Sequence, residues 1–177
     1  MTTSLLTVRT INPSEWREYR TIRLRALQDS PDAFGSTYEM AAQYPEENWV
    51  ARLKGLSDST DHPMFAVING KPVGLAWAKI ESPDTEVAHL YQMWVDPAVR
   101  GKGIGEALMK EAIHWSKRCG TTTLRLDVTA GDRPARRLYE RLGFKPVGEL
   151  VPLRPGSDLL EQTMDLRLGE VNDFQLD

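Results

Sequence analysis

The stretch Val95-Asp96-Pro97-Ala98-Val99-Arg100-Gly101-Lys102-Gly103-Ile104-Gly105 constrains this chain more than any other. An apolar run, His89 to Val95, precedes it, and an amphipathic run, Glu106 to Cys119, follows it. Ile104, Leu108, Ala112 and Trp115 recur at helical spacing, so the second run reads as a helix with one buried face. The glycines therefore stand where a strand hands over to a helix. The first turn of a helix has unpaired N–H groups and the positive end of the dipole. Glycines at alternate positions let a ligand approach the backbone without meeting a Cβ. Arg100 and Lys102 add two positive charges, and the parts together form a phosphate cradle.

The P-loop pattern fails here, because no Lys-Ser or Lys-Thr pair follows the glycines. The dinucleotide pattern Gly-x-Gly-x-x-Gly also fails, because Glu106 stands where the third glycine belongs. A glycine-rich turn that binds nothing is the alternative. The chain of 177 residues is the size of one domain, and with 41% hydrophobic residues it can bury a sizeable core. Its 22 basic and 25 acidic residues give a formal net charge of −3, which argues against a nucleic-acid binder. Cys119 is the single cysteine, so no intrachain disulfide is possible, which suits a reducing cytoplasm. Met1 to Thr10 does not read as a signal peptide, and no apolar run approaches a membrane span. Three scattered histidines and one cysteine give no metal set.

Taken in order, Leu5 to Ile11 reads as a strand. Asn12-Pro13-Ser14-Glu15 is a helix-start signature, and Trp16, Tyr19, Ile22 and Ala26 give the stripe of the helix that follows. Ala33 to Tyr44 reads as a short helix or an ordered loop. Pro45 opens another helical piece, and Gly55 to Pro63 reads as a polar linker. Met64 to Ile68 and Val73 to Ile80 are strands joined by Asn69-Gly70, a two-residue hairpin turn. His89 to Val95 is apolar on both faces and belongs mid-sheet. Thr122 to Val128 is a strand, Asp132 to Leu142 a short helix, and Phe144 to Val151 and Leu159 to Leu168 two closing strands. Residues 1–177 read as a single domain with a flexible tail over 169–177. Hairpins mixed with crossover helices give an α+β class with one mixed sheet of about seven strands.

Two motifs carry a resemblance. The first is Arg100-x-x-Gly103-x-Gly105. The second is Asp132-Arg133-Pro134-Ala135-Arg136-Arg137-Leu138-Tyr139-Glu140-Arg141-Leu142-Gly143-Phe144. In this order, separated by a helix and a strand, they resemble the GNAT superfamily of N-acetyltransferases along nearly the whole chain. The resemblance implies that the glycine turn binds the pyrophosphate of acetyl-coenzyme A (acetyl-CoA). It implies cofactor contacts from Met93, Trp94, Val95, Arg100, Gly101, Lys102, Gly103, Ile104, Gly105, Glu106, Asp132 and Tyr139. Asp132 departs from the family's usual Asn, placing a negative charge near a polyanionic cofactor. The resemblance also implies a bulge that splays the strand ending at Val95 from its neighbour.

By periodicity Tyr139 reads as a core aromatic; by resemblance it is the general acid. A phenol with pKa about 10 stays protonated at neutral pH and can donate to a leaving thiolate. The attacking amine must lose a proton. His89 occupies a position that is acidic in many family members, and a histidine with pKa about 6.5 is a reasonable base. The alternative is a strand histidine satisfied by a neighbour. Tyr91 on the same strand face is a candidate relay, and Glu81 a weaker one.

The expected activity is an acetyl-CoA-dependent N-acetyltransferase acting by direct attack of a primary amine. Asp29, Asp32, Glu39, Glu46 and Glu47 lie in the segment expected to wall the acceptor side, which favours a small cationic amine. A protein or peptide amine and a non-catalytic acyl-CoA sensor are the alternatives. The expected partners are acetyl-CoA, an amine acceptor and a second copy of the chain in a homodimer, with no nucleic acid and no membrane.

Overall fold

The computed structural model describes residues 5–171. Seven strands form one mixed sheet in the order β1-β2-β3-β4-β5-β7-β6. They are β1 (Leu6–Thr10), β2 (Asp61–Ile68), β3 (Lys71–Ile80), β4 (Val87–Val95), β5 (Thr123–Thr129), β6 (Lys145–Pro152) and β7 (Leu160–Arg167). Helices α1 (Trp16–Asp29), α2 (Tyr38–Ala42) and α3 (Glu46–Leu53) join β1 to β2. Helix α4 (Ile104–Arg118) crosses from β4 to β5, and α5 (Pro134–Arg141) leads from β5 to β6. The α+β reading and the single mixed sheet both hold.

Local chemistry sets the element ends. The Asn12 side chain accepts from the Ser14 N–H at 3.0 Å, and Glu15 Oε1 accepts from the Asn12 N–H at 2.9 Å. This reciprocal box opens a short 3-10 turn that runs into α1. Asn69 and Gly70 both take left-handed φ, 52° and 76°, as a two-residue hairpin turn requires.

Two apolar layers sandwich the sheet. On one face α4 packs on Met64, Ala66, Ala76, Leu90, Leu124 and Met164 through Leu108, Ala112 and Ile113. On the other, Tyr19, Ile22 and Leu27 of α1 and Trp49 of α3 pack on Phe65, Leu75, Trp77 and Trp94. Each fully buried Leu, Ile or Phe contributes about 1.5–3 kcal/mol, and β2, buried on both faces, draws on both layers.

Two boundaries differ from the sequence reading. Strand β2 begins at Asp61, inside the stretch expected to be a linker. Its polar residues find partners there: Trp77 Nε1 donates to Asp61 Oδ1 at 3.0 Å, and His62 stacks on Trp115 with ring centroids 5.6 Å apart. Glu111 Oε1 lies 3.1 Å from His62 Nε2. The start of the tail expected over 169–177 is tied down. Leu168–Glu170 form a 3-10 turn, and Lys117 Nζ donates to the Val171 carbonyl at 2.8 Å. The rest of that tail, 172–177, lies outside the described residues.

Two irregularities in β4 open the sheet. Leu75 pairs with Trp94 and Trp77 with Tyr91, so Ala76 alone opposes both Gln92 and Met93. Gln92 takes φ 60°, and the extra residue makes a β-bulge. Past it, Met93 packs toward the α4 layer while Trp94 joins the α1 layer. On the other edge of β4, parallel pairing with β5 covers only Val87–Thr123, Ala88–Leu124 and His89–Arg125. Strand β5 continues along β7 as far as Thr129–Glu161. Beyond His89, β4 and β5 diverge.

Candidate active site

The divergence is filled by space rather than by side chains. A cavity of about 440 Å³ lies between Leu90–Met93 of β4 and Leu126–Thr129 of β5, roofed by Arg23, Phe34 and Tyr139. On one side it meets a groove of about 600 Å³ that runs past Met93, Trp94 and Val95 to Arg100, Gly101, Gly103, Ile104, Gly105 and Glu106. On the other it meets a cavity of about 360 Å³ bounded by Arg23, Arg52, Asp61, Lys79, Tyr91 and Gln92. The groove and the middle cavity share Ala33, Phe34, Met93, Arg133, Ala135 and Tyr139. The middle and far cavities share Arg23, Ser36, Tyr91 and Gln92. The three spaces therefore adjoin, with Tyr139 bordering the first pair and Arg23 the second.

The groove ends at the N-terminus of α4. Gly103 is the residue before the helix and offers no side-chain cap to its first N–H groups. Those donors face the groove with the positive end of the helix dipole. Gly101 and Gly103 take φ of 80° and 79°, a conformation that costs an L-residue roughly 1–2 kcal/mol. A Cβ at Gly105 would meet Leu138 Cδ2 at 3.3 Å and Met93 Cε at 3.5 Å. Gly105 thus lets α4 press against α5, whereas Gly103 makes the turn. The free donors, the missing cap and the open groove fit a pyrophosphate.

Arg100 has a second duty. Its Nε donates to the Val95 carbonyl at 2.9 Å, and its Nη2 reaches Asp29 Oδ2 at 2.7 Å. Asp29 Oδ2 also accepts from Trp94 Nε1 at 3.0 Å. Partial burial raises the Asp29 pKa, but hydrogen bonds from Trp94, Ser30 and Arg100 outweigh it, and the net shift is downward. This clamp ties the end of β4 to the end of α1 at the mouth of the groove. Lys102 is exposed and does not line the groove. Asp132 is also exposed, pairs with Arg137 at 3.3 Å and lines none of the three spaces.

Tyr139 is 5% exposed and tilts against Phe144 at 5.8 Å. Burial raises its phenol above the ordinary value of 10, because the phenolate would be desolvated. It is therefore a neutral O–H donor throughout the neutral range. His89 and Tyr91 stack with ring centroids 5.9 Å apart and planes 9° from parallel. Only Tyr91 lines the cavities; His89 stands beside it, outside all three. Desolvation, with Glu81 and Asp127 nearby, raises the Tyr91 pKa as well.

Three of the lining residues that the sequence did not single out stand at key points of the cleft. Gln92 sits on the bulge, where its Oε1 accepts from the Tyr19 hydroxyl at 2.7 Å. Arg133 stands between groove and cavity. Arg23 was hidden among helix residues, although it falls four residues after Tyr19, on the apolar stripe of α1. An arginine on that stripe was the available signal. The acidic residues expected at the acceptor lie elsewhere. Asp29 and Asp32 border the groove, and Glu39, Glu46 and Glu47 are exposed and border none of the spaces.

The fold matches solved acetyltransferase structures. The structure of yncA from Salmonella typhimurium, solved with its cofactor acetyl-CoA, superposes with a TM-score of 0.78 at 22% identity, covering 96% of this chain and 97% of that one. In sequence, an uncharacterized N-acetyltransferase of Methanocaldococcus jannaschii is 40% identical over 110 residues, 58% of this chain and 48% of that protein. The mycothiol acetyltransferase of Thermomonospora curvata is 31% identical over 140 residues, 78% of this chain and 44% of that protein. The chain thus spans about half the length of these two relatives. The profile of the acetyltransferase (GNAT) family matches residues 16–144, and the chain belongs to that family.

Proposed function

We propose that this protein transfers an acetyl group from acetyl-CoA to a small primary amine by direct attack. One observation carries the reading: an uncapped helix N-terminus opens into a groove that meets, at buried Tyr139, a separate inner cavity. Acetyl-CoA supplies the activated thioester. The first-turn N–H groups of α4 hold its pyrophosphate, as helix N-termini hold anions. The unpaired edge of β4 beyond His89 leaves backbone groups facing the groove for the pantetheine arm. Tyr139, kept neutral by burial, gives its proton to the departing sulfur. Tyr91, reachable from the acceptor cavities, relays the amine's proton to water, with His89 stacked beside it.

The acceptor approaches from the side of Arg23, Tyr91 and Gln92, away from the groove. The acidic residues that favoured a cationic amine do not border that side, so its charge preference must come from other groups. The test is release of free coenzyme A over a panel of amines, amino acids and short peptides, with acetyl-CoA binding followed by calorimetry. Turnover of small amines supports the reading. Tight acetyl-CoA binding without turnover of any amine would make the protein an acyl-CoA sensor, and turnover of peptides alone would move the acceptor to a protein.

A further inference from the structure

Arg23 stands at the junction of the two inner cavities, 6% exposed. Its Nη1 is sealed from solvent and has no hydrogen-bond partner. Its guanidinium lies over the Phe34 ring at 4.7 Å. No carboxylate among the described residues pairs with it. Those bordering the same cavities are engaged elsewhere or stand apart. Asp61 accepts from Trp77 Nε1 at 3.0 Å and from the Thr60 hydroxyl at 3.0 Å. Glu81 pairs with Lys79 at 3.7 Å, and Asp127 accepts from the Thr163 hydroxyl. Glu161 borders the middle cavity without an ion pair to Arg23.

A second guanidinium borders the far cavity. Arg52 is stacked over Tyr44 at 5.2 Å and Trp49 at 4.8 Å. Burial, joined by repulsion from Arg52, pushes the Arg23 pKa down to about 10, so it remains charged at neutral pH. A buried, charged donor without a partner is costly, and natural structures rarely leave one so. Two like charges around one cavity raise that cost. Both costs vanish if an anion enters. A planar carboxylate is the group that a guanidinium fork fits best.

We propose that Arg23, with Arg52 beside it, binds a carboxylate of the acceptor, so that the acetylated amine belongs to an amino acid. The inference rests on the acetyltransferase reading of the same cleft and names the acceptor class that the reading leaves open. Arg23 borders the middle cavity together with Tyr139, so an anchored carboxylate leaves the amine of the same small molecule directed toward the thioester. The amide of the same amino acid keeps one carbonyl acceptor but lacks the charge and the second oxygen of a bidentate pair, and a site built for a polar partner discriminates strongly against its loss.

The experiment measures coenzyme A release with matched pairs, each free amino acid against its own carboxamide. The wild-type protein should turn over at least one acid with kcat/KM about 10–100-fold above its amide, the value of one charged hydrogen bond or bidentate pair. Arg23→Gln should lower kcat/KM for that acid by about the same factor. It should lower the amide rate far less than the acid rate and leave calorimetric acetyl-CoA affinity unchanged. Should Arg23→Gln fail to fold, the wild-type acid-to-amide ratio and the charge-retaining Arg23→Lys variant decide. Amides or simple amines that match the acids, or an Arg23→Gln loss equal for both, would overturn this inference and leave the acetyltransferase reading standing. A wild-type protein that binds no acetyl-CoA would overturn both.

Discussion

The two halves of the cleft are built in opposite ways. The groove half comes from three short runs, Asp29 to Phe34, Met93 to Glu106 and Arg133 to Arg141, with backbone groups at the start of α4 at its end. The inner half comes from side chains far apart in the chain: Arg23 of α1, Arg52 of α3, Lys79 of β3, Tyr91 and Gln92 of β4. A backbone cradle serves a ligand that is the same for every member of a family. A cavity of dispersed side chains can change its chemistry one residue at a time while the sheet stays the same.

If the halves divide the labour in this way, substitutions should separate their effects. The largest expected effect lies at their junction. Tyr139→Phe should lower kcat by about 10²–10⁴-fold, the usual worth of a positioned acid, and should leave the KM for acetyl-CoA within a factor of about three. Equal kcat in the variant would remove Tyr139 from the chemistry and leave it as a core aromatic.

Next comes the turn. Gly103→Val must adopt φ near 79° and should cost roughly 1–2 kcal/mol of stability. It should also weaken acetyl-CoA binding by about tenfold or more, since its side chain would stand beside the free donors. The KM for the acceptor should not move. Calorimetry and urea unfolding on the same preparation check both parts.

A smaller effect belongs to pH. The Tyr139 phenol titrates above its unfolded value, so its contribution to stability is present below about pH 10 and is lost as pH rises through its folded value. The urea midpoint of the wild type should fall more steeply between pH 9 and 11 than that of Tyr139→Phe. The smallest effect should come from the acceptor half's frame. Tyr19→Phe removes the hydrogen bond to Gln92 and should cost about 1 kcal/mol in urea unfolding, with acetyl-CoA affinity unchanged.

The same contrast explains what was legible in the sequence. Arg100, Gly103 and Gly105 are neighbours in the chain, and the apolar run before them and the helical stripe after them point to a strand-to-helix turn. The hairpin at Asn69-Gly70 and the box at Asn12 and Glu15 were legible for the same reason, because their chemistry is local. The reasons behind the motif were less so. Gly105 is small because Leu138 presses on it, and Arg100 closes a clamp onto Asp29; both depend on residues remote in sequence. The bulge in β4 was implied by the family resemblance, but its place at Gln92 follows from the pairing with β3, which the strand's own residues do not fix. Arg23 was marked only by its place on the apolar stripe of α1. Its meaning depends on the lack of a partner, which only a three-dimensional arrangement reveals.

The central claim is that acetyl-CoA occupies the glycine-loop groove and leaves the inner cavities to the acceptor. Amide hydrogen exchange with and without acetyl-CoA tests it without reference to turnover. Slowed exchange is expected at residues 101–106 and along Met93 to Val95, with the amides of α3 unchanged. Protection confined to α3 and the Lys79 to Glu81 segment, with residues 101–106 unaffected, would contradict it.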